Sequence, residues 1–258
     1  MTLRLDKFLS TQTGITRSKT KKYISEKKVL INGSMAFSGN MKINPEIDEI
    51  IIDGNKIKYR DKIYIILNKP QGYICATEDK SEKTVLDLLD NEYKRKDIFP
   101  AGRLDKDTVG MVLITNDGSL SHRILSPKKH IPKYYIVKLA EKFKNEYVKK
   151  FELGIALEEG ELCLPAKVRS FENDENTALI EISEGKFHQI KRMFKAVENT
   201  VVKLQRIQMG GLPIPVELGI GEYMEIMHKD VEKLLNRPDF DEVFKNISEN
   251  FSSYWINI

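Results

Sequence analysis

The spacing of hydrophobic positions divides the chain into a helical start and a longer region of strands. Apolar residues recur at helical spacing over residues 3–9, until Gly14 interrupts them. Thr16 or Ser18 is suited to cap a second helix, which the pattern extends to about Lys28. The sequence therefore predicts two short helices at the start of the chain.

A hairpin and a further strand are predicted after the two helices. Asn32 and Gly33 separate two short apolar runs, and Asn-Gly is the favoured centre of a two-residue hairpin turn. The next apolar run, DEIIIDG, predicts a strand that ends in a turn. These elements form a small first domain, residues 1–57, followed by a linker near Lys56–Lys62.

The region after the linker mixes predicted strands and helices. Its strand-like runs are IYIILNK, MVLITNDG, KYYIVKL and TALIEIS, and its helical runs are FHQIKRMFKAV and DVEKLL. This mixture predicts an α+β domain over residues 62–233, with a largely antiparallel mixed sheet flanked by helices. Residues 234–258 are acidic and aromatic, and the sequence assigns this C-terminal extension no role.

Composition excludes several classes of protein. Of 258 residues, 41% are hydrophobic, which suffices for a packed core. The two cysteines, Cys75 and Cys163, lie far apart and the four histidines are scattered, so neither a disulfide framework nor a metal site is indicated. No apolar run has the length of a signal peptide or a membrane span. We therefore expect a cytoplasmic protein without metal, cofactor or membrane contact.

Positive charge is concentrated at the start of the chain. Residues 1–30 contain eight basic and two acidic side chains, whereas the chain as a whole carries a net charge of +4. A run of lysines is usually a solvated helix face, but this concentration in one helix–hairpin unit favours a surface that binds nucleic acid. The candidate RNA-binding residues are Arg4, Lys7, Arg17, Lys19, Lys21, Lys22, Lys27 and Lys28.

The same segment resembles a known RNA-binding domain, the one named after ribosomal protein S-four. The resemblance covers roughly residues 3–54 and depends on the runs RLDKFL, TRSKTKKYI, VLING and DEIIIDG. The chain departs from the family at Glu26-Lys27-Lys28, where the family often has a glycine before the strand. The resemblance implies that a small S-four-type RNA-binding domain precedes the larger domain.

The segment AGRLDKDTVG is the main candidate for chemistry. Arg103 and Asp105 lie two residues apart, so their side chains share a face if the segment is extended. An aspartate after a strand is most often a turn residue or a helix cap, and Asp107 fits that role. An arginine beside Asp105 would keep it ionised, as a nucleophile or a base requires.

Four motifs in order resemble the small-subunit branch of the pseudouridine synthases, whose members modify ribosomal RNA. They are ILNKPQGYICAT, AGRLDKDTVGMVLITNDG, SHRILSPKKHIPKYYIVKL and ISEGKFHQIKRMFKAVENTVVKLQRIQMGGL. The resemblance covers nearly all of the chain up to about Lys233. It implies a family fold, an isomerase activity on RNA and no cofactor.

The resemblance also assigns roles to particular residues. Asp105 would be the catalytic nucleophile and Arg103 would organise the ionic network around it. Tyr135, in the motif Lys-x-Tyr, would stack on the target base. Lys191 would pair with the nucleophile, and a lysine there, where many relatives have arginine, marks the small-subunit type.

Three neighbours of Lys191 are further candidates. His188 and Gln189 are interpreted as structural or RNA-contacting, because no acid lies near His188 in sequence. Arg192 is grouped with the RNA-binding residues, although a solvated helix face is the usual role of such a position.

The resulting expectation is an enzyme that converts one uridine of 16S ribosomal RNA to pseudouridine. Its partner would be ribosomal RNA or an assembling small-subunit particle, and the protein would be a monomer. A large-subunit (23S) enzyme of the same family and a non-catalytic ribosome-assembly factor are the alternatives. The sequence also leaves open whether Asp105 attacks the ribose or removes its 2′ proton.

Overall fold

The computed structural model describes residues 2–93, 95, 97–158 and 160–254. The described residues form two compact units. One comprises residues up to Ile63 together with the segment 89–99, and the other comprises residues 64–88 and those from Pro100 onward. The first boundary lies close to the predicted linker. The segment 89–99, predicted as part of the larger domain, instead belongs to the N-terminal unit.

Arg95 explains why the segment 89–99 joins the N-terminal unit. Its buried guanidinium donates to the side chain of Gln12 at 3.0 Å and to the carbonyl oxygen of Arg60 at 2.9 Å. It also forms a bidentate pair with Asp97, at 2.9 and 2.7 Å. The bonds to Gln12 and Arg60 join residues 83 and 35 positions apart, which no local pattern in the sequence predicts.

The N-terminal unit packs two helices on short strands around a core of its own. Its elements are β1 (Leu3–Arg4), α1 (Leu5–Thr13), α2 (Arg17–Ser25), β2 (Val29–Ile31), β3 (Ser34–Met35), β4 (Lys42–Ile43), β5 (Ile50–Ile52) and β6 (Asn55–Lys56). Among the residues described, one sheet has the order β3-β2-β5-β6 and a second pairs β1 with β4. The two predicted helices, the hairpin and the strand that follows it are all confirmed.

Helix α2 ends three residues before the predicted Lys28. The Lys27 N–H bonds the carbonyl of Ile24 and the Lys28 N–H bonds that of Tyr23, which is the Schellman pattern of helix termination. Lys27 takes the left-handed position with φ of 58°, where glycine is usual. This ending is the place where the sequence lacks the glycine typical of the S-four-type family.

The hairpin between β2 and β3 forms as predicted. Asn32 and Gly33 have φ values of 50° and 80°, so both central residues occupy the left-handed region that a type I′ turn requires. The β2–β3 pairing follows directly from this turn, with Leu30 opposite Met35 and Ile31 opposite Ser34.

The main unit is built on a mixed sheet of nine strands in the described part of the chain. The strands are β7 (Tyr64–Lys69), β8 (Phe99–Ala101), β9 (Val109–Thr115), β10 (Lys133–Leu139), β11 (Lys167–Phe171), β12 (Asp174–Ile182), β13 (Val201–Met209), β14 (Leu212–Pro213) and β15 (Tyr223–Glu225). The order is β11-β12-β10-β13-β9-β7-β15, with β14 on β13 and β8 on β9. This confirms a mixed, largely antiparallel sheet.

Helices flank this sheet. They are α3 (Gly118–Leu125), α4 (Glu146–Glu152), α5 (Gln189–Lys195), α6 (His228–Val231), α7 (Phe240–Glu249) and α8 (Phe251–Tyr254). Short 3-10 turns occupy Val85–Leu88, Asn91–Tyr93, Pro127–Lys129 and Glu232–Leu235. In the ranges given above, no helix is long and apolar enough to cross a membrane.

The parallel pair β9–β13 sits at the centre of the sheet and brings distant segments together. Gln205 lies opposite Val109 and Arg206 lies opposite Gly110. A Cβ atom at Gly110 would overlap the backbone of Arg206, and Gly110 has φ of 99°. Glycine is therefore required where the Asp105 segment enters the sheet.

The C-terminal extension packs on one face of the sheet. Phe240, Val243, Phe244 and Ile247 of α7 join the main hydrophobic cluster. The Phe244 ring stacks on Phe171 with centroids 5.2 Å apart. Tyr134 of β10 donates to the carbonyl oxygen of Pro238 at 3.2 Å. These residues, to which the sequence assigned no role, are part of the main core.

Candidate active site and RNA-binding surfaces

Asp105 lies in the loop between β8 and β9, and a buried lysine organises that loop. The Lys69 Nζ lies 3.1 Å from the carbonyl oxygen of Asp105, 3.3 Å from that of Lys106 and 2.7 Å from that of Thr108. Lys69 ends β7 and has no solvent exposure. Its ammonium therefore fixes the backbone of the candidate catalytic loop.

The environment of Lys69 is strongly perturbed. Burial lowers the pKa of Lys69 to about 8, while electrostatic interactions with Cys75, Asp107 and Asp105 oppose that shift. The backbone acceptors around the amine favour its protonated, donating form. Lys69 was not among the residues predicted from the sequence, although a charged residue at the end of the apolar run YIILNK is a visible signal.

Lys191 connects the two aspartates of the loop. Its Nζ lies 3.3 Å from Asp105 Oδ2 and 2.6 Å from Asp107 Oδ1. The structure thus brings Lys191 to Asp105, as the family resemblance implies. The shorter contact, however, is with Asp107, to which the sequence analysis gave only a turn role.

The pKa of Asp107 reflects this contact. Burial raises it, but the hydrogen bond and the charge of Lys191 outweigh burial, so the pKa lies below its ordinary value. Asp107 is therefore held as a carboxylate by the same lysine that contacts Asp105.

Arg103 does not form the expected ion pair with Asp105. Its side chain is exposed, and in the described part of the chain it has no ion pair with any carboxylate. Gly102, with φ of 95°, precedes it, and residues 102–108 form a loop rather than a strand. The Asp105 carboxylate contacts Lys191, the partner that the resemblance implied, and not Arg103.

His188 also approaches Asp105. Its Nε2 lies 3.6 Å from Asp105 Oδ1, although no acid is near it in sequence. His188 has φ of 48°, an unusual conformation for a residue other than glycine. Its ring stacks on that of Phe187, with centroids 3.8 Å apart and planes 17° apart.

Gln189 and Arg192 differ in how accessible their side chains are to RNA. Gln189 is buried, and its amide accepts from the Lys186 N–H at 3.0 Å and donates to Glu184 at 2.8 Å. These contacts favour the structural alternative for Gln189 over an RNA contact. Arg192 is partly exposed and pairs with Glu161 at 3.2 Å.

Tyr135 belongs to a row that crosses three strands of the sheet. It lies opposite Arg206 on β13, and Arg206 lies opposite Gly110 on β9, five residues after Asp105. The Arg206 guanidinium contacts the Tyr135 hydroxyl at 3.5 Å and lies 6.0 Å from the centre of its ring. The fold thus places Arg206 next to Tyr135.

Arg206 and Lys133 give this region buried positive charge. Arg206 donates from Nε to the Met111 carbonyl at 2.8 Å, whereas one of its terminal nitrogens is buried without a hydrogen-bond partner among the described residues. Burial lowers the pKa of Lys133 to about 8; Arg206 lowers it further and Glu184 opposes. The sequence analysis missed Arg206, because only strand pairing reveals its neighbours.

Four of the eight candidate RNA-binding residues of the N-terminal unit line an open groove. The groove has a volume of about 870 Å³, and basic side chains line it together with two exposed apolar ones. These residues are Arg4, Arg17, Lys21 and Lys27, with Met35 and Phe37. Phe37 is 82% exposed.

The basic residues differ in whether acids neutralise them. Arg4 forms a bidentate pair with Asp6, Lys28 pairs with Glu26 and Asp53, and Lys22 lies 3.8 Å from Glu26. The other five, in the described part of the chain, have no ion pair. They are Lys7, Arg17, Lys19, Lys21 and Lys27. These five are the best placed to meet phosphates.

No metal-binding arrangement is present within the described ranges, since no three His, Cys, Asp or Glu side chains are grouped to hold an ion. The chemical groups that the site offers are therefore a carboxylate, several lysine and arginine cations, and a tyrosine. Such a set suits acid–base or nucleophilic chemistry on a ligand that becomes negatively charged.

Comparisons with known proteins point to one family. A sequence profile described as RNA pseudouridylate synthase matches residues 63–196. A Bacillus subtilis protein described as an uncharacterized RNA pseudouridine synthase is 43% identical over 238 residues, which is 92% of this chain and 99% of the relative. The Escherichia coli K12 ribosomal small subunit pseudouridine synthase A is 38% identical over 90% of this chain and 100% of the relative.

A solved structure supports the same conclusion. A crystal structure of a pseudouridylate synthase covers 90% of this chain and 99% of that chain, at 40% identity and a TM-score of 0.63. The matched profile contains Asp105, Tyr135 and Lys191, the residues that surround the candidate site. From these similarities, the chain belongs to the RNA pseudouridylate synthase family.

Proposed function

We propose that this protein isomerises one uridine of 16S ribosomal RNA to pseudouridine, with Asp105 as the reacting carboxylate. The observation that carries the proposal is the contact of Asp105 with Lys191 at 3.3 Å. Asp105 lies in a loop whose backbone carbonyl groups are held by the buried Lys69 ammonium. The sequence predicts that this protein is a monomer and acts in the cytoplasm.

The reaction requires no external reagent. The bond between ribose C1′ and uracil N1 breaks, the base rotates, and a bond between C1′ and C5 forms. C5 then loses its proton and N1 gains one, so atoms and charge balance. A carboxylate serves this sequence in either of two ways, by attacking C1′ or by removing the 2′ proton to give a glycal.

The cations around Asp105 suit the intermediate stage. The Lys191 ammonium pairs with the Asp105 carboxylate at 3.3 Å. Uracil leaves C1′ with the electrons of the broken bond, and fixed positive charge stabilises such a leaving group. Arg206 and Lys133, which border Tyr135, are sources of that charge. Tyr135 stacks on the detached base and holds it for rotation.

The choice of 16S RNA depends on the relatives. The Escherichia coli relative that matches over its whole length is named for the ribosomal small subunit, and Lys191 agrees with the small-subunit type. The substrate is ribosomal RNA, free or in an assembling particle. Because the target base must leave its stack to reach Asp105, the enzyme flips it out of the RNA.

Pseudouridine mapping tests this function. Ribosomal RNAs from cells with and without the gene are mapped chemically, and again from cells that carry Asp105→Asn. We expect one small-subunit site to disappear in both mutant strains. Loss of a 23S site would instead assign the enzyme to the large subunit, and an unchanged map would contradict catalysis on ribosomal RNA.

The groove of the N-terminal unit supplies the second RNA contact. Arg17 and Lys21 line it, and among the described residues neither forms an ion pair, so each can neutralise a phosphate. The double variant Arg17→Ala/Lys21→Ala is expected to weaken 16S RNA binding and to reduce the slope of log K against log salt by roughly 1 to 2.

The pair Lys22 and Lys28 provides the control for this test. Acids already neutralise both lysines, so Lys22→Ala/Lys28→Ala should change the salt slope less. Equal salt slopes for the wild type and the Arg17/Lys21 variant would show that the groove does not contact the phosphates of the RNA.

A further inference from the structure

An exposed phenylalanine lies next to His188, the residue that approaches the candidate catalytic aspartate. Phe187 is 71% exposed, although a large aromatic side chain contributes most to stability when it is buried. It lies in the connection between β12 and α5, one residue before His188. Its exposure therefore points to a ligand.

The ring of Phe187 stacks on the ring of His188, which in turn approaches Asp105. His188 Nε2 lies 3.6 Å from Asp105 Oδ1, and the His188 ring lies face to face with Phe187, with centroids 3.8 Å apart. One face of Phe187 is thus covered by His188, and the rest of the ring is open to solvent. A flat group that stacks on the open face of Phe187 would be separated from His188, and so from its contact with Asp105, by the Phe187 ring alone.

The backbone around Phe187 is held in place. Arg192 donates to the Phe187 carbonyl at 3.3 Å, and the Arg192 N–H bonds the His188 carbonyl at 3.0 Å. Lys186 pairs with Glu161 at 3.1 Å, and its N–H donates to Gln189. A fixed backbone under an exposed ring is a preorganised binding surface, because little order is lost when a ligand stacks.

The surroundings of the ring identify the kind of ligand. The segment 186–195 contains three lysines, an arginine and a histidine, and no acid, but carboxylates of other segments pair with its lysines and its arginine. The group that is open to a ligand is therefore the Phe187 ring itself, next to the histidine that approaches Asp105. Exposed aromatic rings of this kind bind the unstacked bases of RNA by stacking.

We propose that Phe187 and His188 form a stacking site for the base adjacent to the target uridine. This inference rests on the proposed function. When the uridine flips towards Asp105, its neighbour loses one stacking partner, and Phe187 replaces that partner. The site thereby stabilises the opened RNA rather than the reacting base, so Phe187 is a substrate-binding residue and not a catalytic one.

The experiment uses the uridine that the mapping identifies, whichever ribosomal RNA carries it. A short RNA spanning that site receives 2-aminopurine at the 5′ or the 3′ neighbouring position, and it is bound by the full chain with Asp105→Asn to prevent turnover. Emission of 2-aminopurine rises when the analogue is unstacked. The complex of the Phe187→Ala variant should therefore emit more strongly than that of the protein with Phe187.

Affinity and ring chemistry give a second readout. Stacking on one aromatic side chain predicts RNA binding about 5- to 150-fold weaker for Phe187→Ala. Phe187→Trp should retain binding and low emission, whereas Phe187→Leu, apolar but without a ring, should behave like Phe187→Ala. Leu153→Ala is the matched control. Leu153 is 73% exposed in the same unit, and its substitution removes a similar apolar area from the surface.

Particular results would overturn the stacking site. Binding by Phe187→Ala within about twofold of the Phe187 protein, with unchanged emission at both neighbouring positions, excludes it. The stacking site is also excluded if Phe187→Ala loses activity on ribosomal particles but keeps its activity on the short RNA. Phe187 would then be a contact for a ribosomal protein. Neither result alters the pseudouridine map, so the proposed function is judged separately.

Discussion

Asp105 and Asp107 share one lysine, and their different positions predict different consequences of mutation. Asp105→Asn removes the carboxylate that reacts with ribose, so we expect pseudouridine formation to fall by at least about 10³-fold. Asp107→Asn leaves Lys191 in contact with Asp105, 3.3 Å away, and should retain most of the activity. Release of tritium from RNA labelled at uridine C5 measures both rates.

Equal losses for the two variants would contradict this division of roles. The comparison is informative because Lys191 is closer to Asp107 than to Asp105. If Asp107 were the reacting group, the order of the two losses would reverse.

Lys133 predicts a dependence of stability on alkaline pH. Burial, and then the charge of Arg206, lower its folded-state pKa to about 8, whereas a lysine in the unfolded chain titrates near its ordinary value of about 10.4. Between these values the unfolded chain binds more protons, so stability rises with pH. Relative to Lys133→Met, the wild type should gain up to about 3 kcal/mol across that window.

Urea unfolding of both proteins at several pH values from 7 to about 10.5 measures this difference. Comparing the two proteins cancels the other titrating groups that they share. Parallel stability curves would show that Lys133 is not deprotonated on folding in this range.

At the level of single elements, the parallel pair β9–β13 is the contact on which the site depends. Gly110 has φ of 99°, and an added Cβ would overlap the Arg206 backbone, so Gly110→Ala both strains the backbone and separates the strands. We expect a loss of about 3 kcal/mol or more in the free energy of unfolding. Urea denaturation measures it.

Gly118→Ala is the control for that substitution. Gly118 begins α3, no atom lies near its added Cβ, and its φ is not positive, so alanine should be tolerated. Similar losses at both glycines would mean that close strand approach at Gly110 is not the cause.

The elements also show what the sequence could and could not predict. The Asn32-Gly33 hairpin and the end of α1 at Gly14 are local, because a few adjacent residues determine their dihedral angles. The position of Arg206 beside Tyr135 depends on the pairing of β13 with β10, 71 residues away in sequence. Nothing local encodes such a pairing, so Arg206 was missed.

The candidate site was predictable in part for the same reason. Family motifs pointed to Asp105, Tyr135 and Lys191, and the structure brings Lys191 to Asp105. Motifs do not report which cation contacts which carboxylate. Sequence proximity and the family motif both placed Arg103 in the ionic network of Asp105, whereas Arg103 is exposed in the loop that follows Gly102.

At the level of the whole molecule, each of the two units has a hydrophobic cluster of its own among the described residues, and the C-terminal extension belongs to a cluster of the catalytic unit. The apolar residues of α7 recur at positions i, i+3, i+4 and i+7 from Phe240, after the cap residue Asp239. That period was readable in the sequence, although what it packs against was not. The extension therefore contributes to the stability of the catalytic unit.

Phe244→Ala tests that contribution. Phe244 stacks on Phe171, with Arg169 4.4 Å above its ring, so truncation should cost about 3–5 kcal/mol and lower Tm by roughly 6–20 °C. Hydrogen exchange should accelerate at β11 and β12, which Phe171 connects to α7, and not in the N-terminal unit, whose core is separate. Lys245→Ala, on the exposed side of α7, should leave both measurements unchanged. If Phe244→Ala instead accelerated hydrogen exchange equally in both units, the units would unfold together. The extension would then stabilise the whole chain rather than the catalytic unit alone.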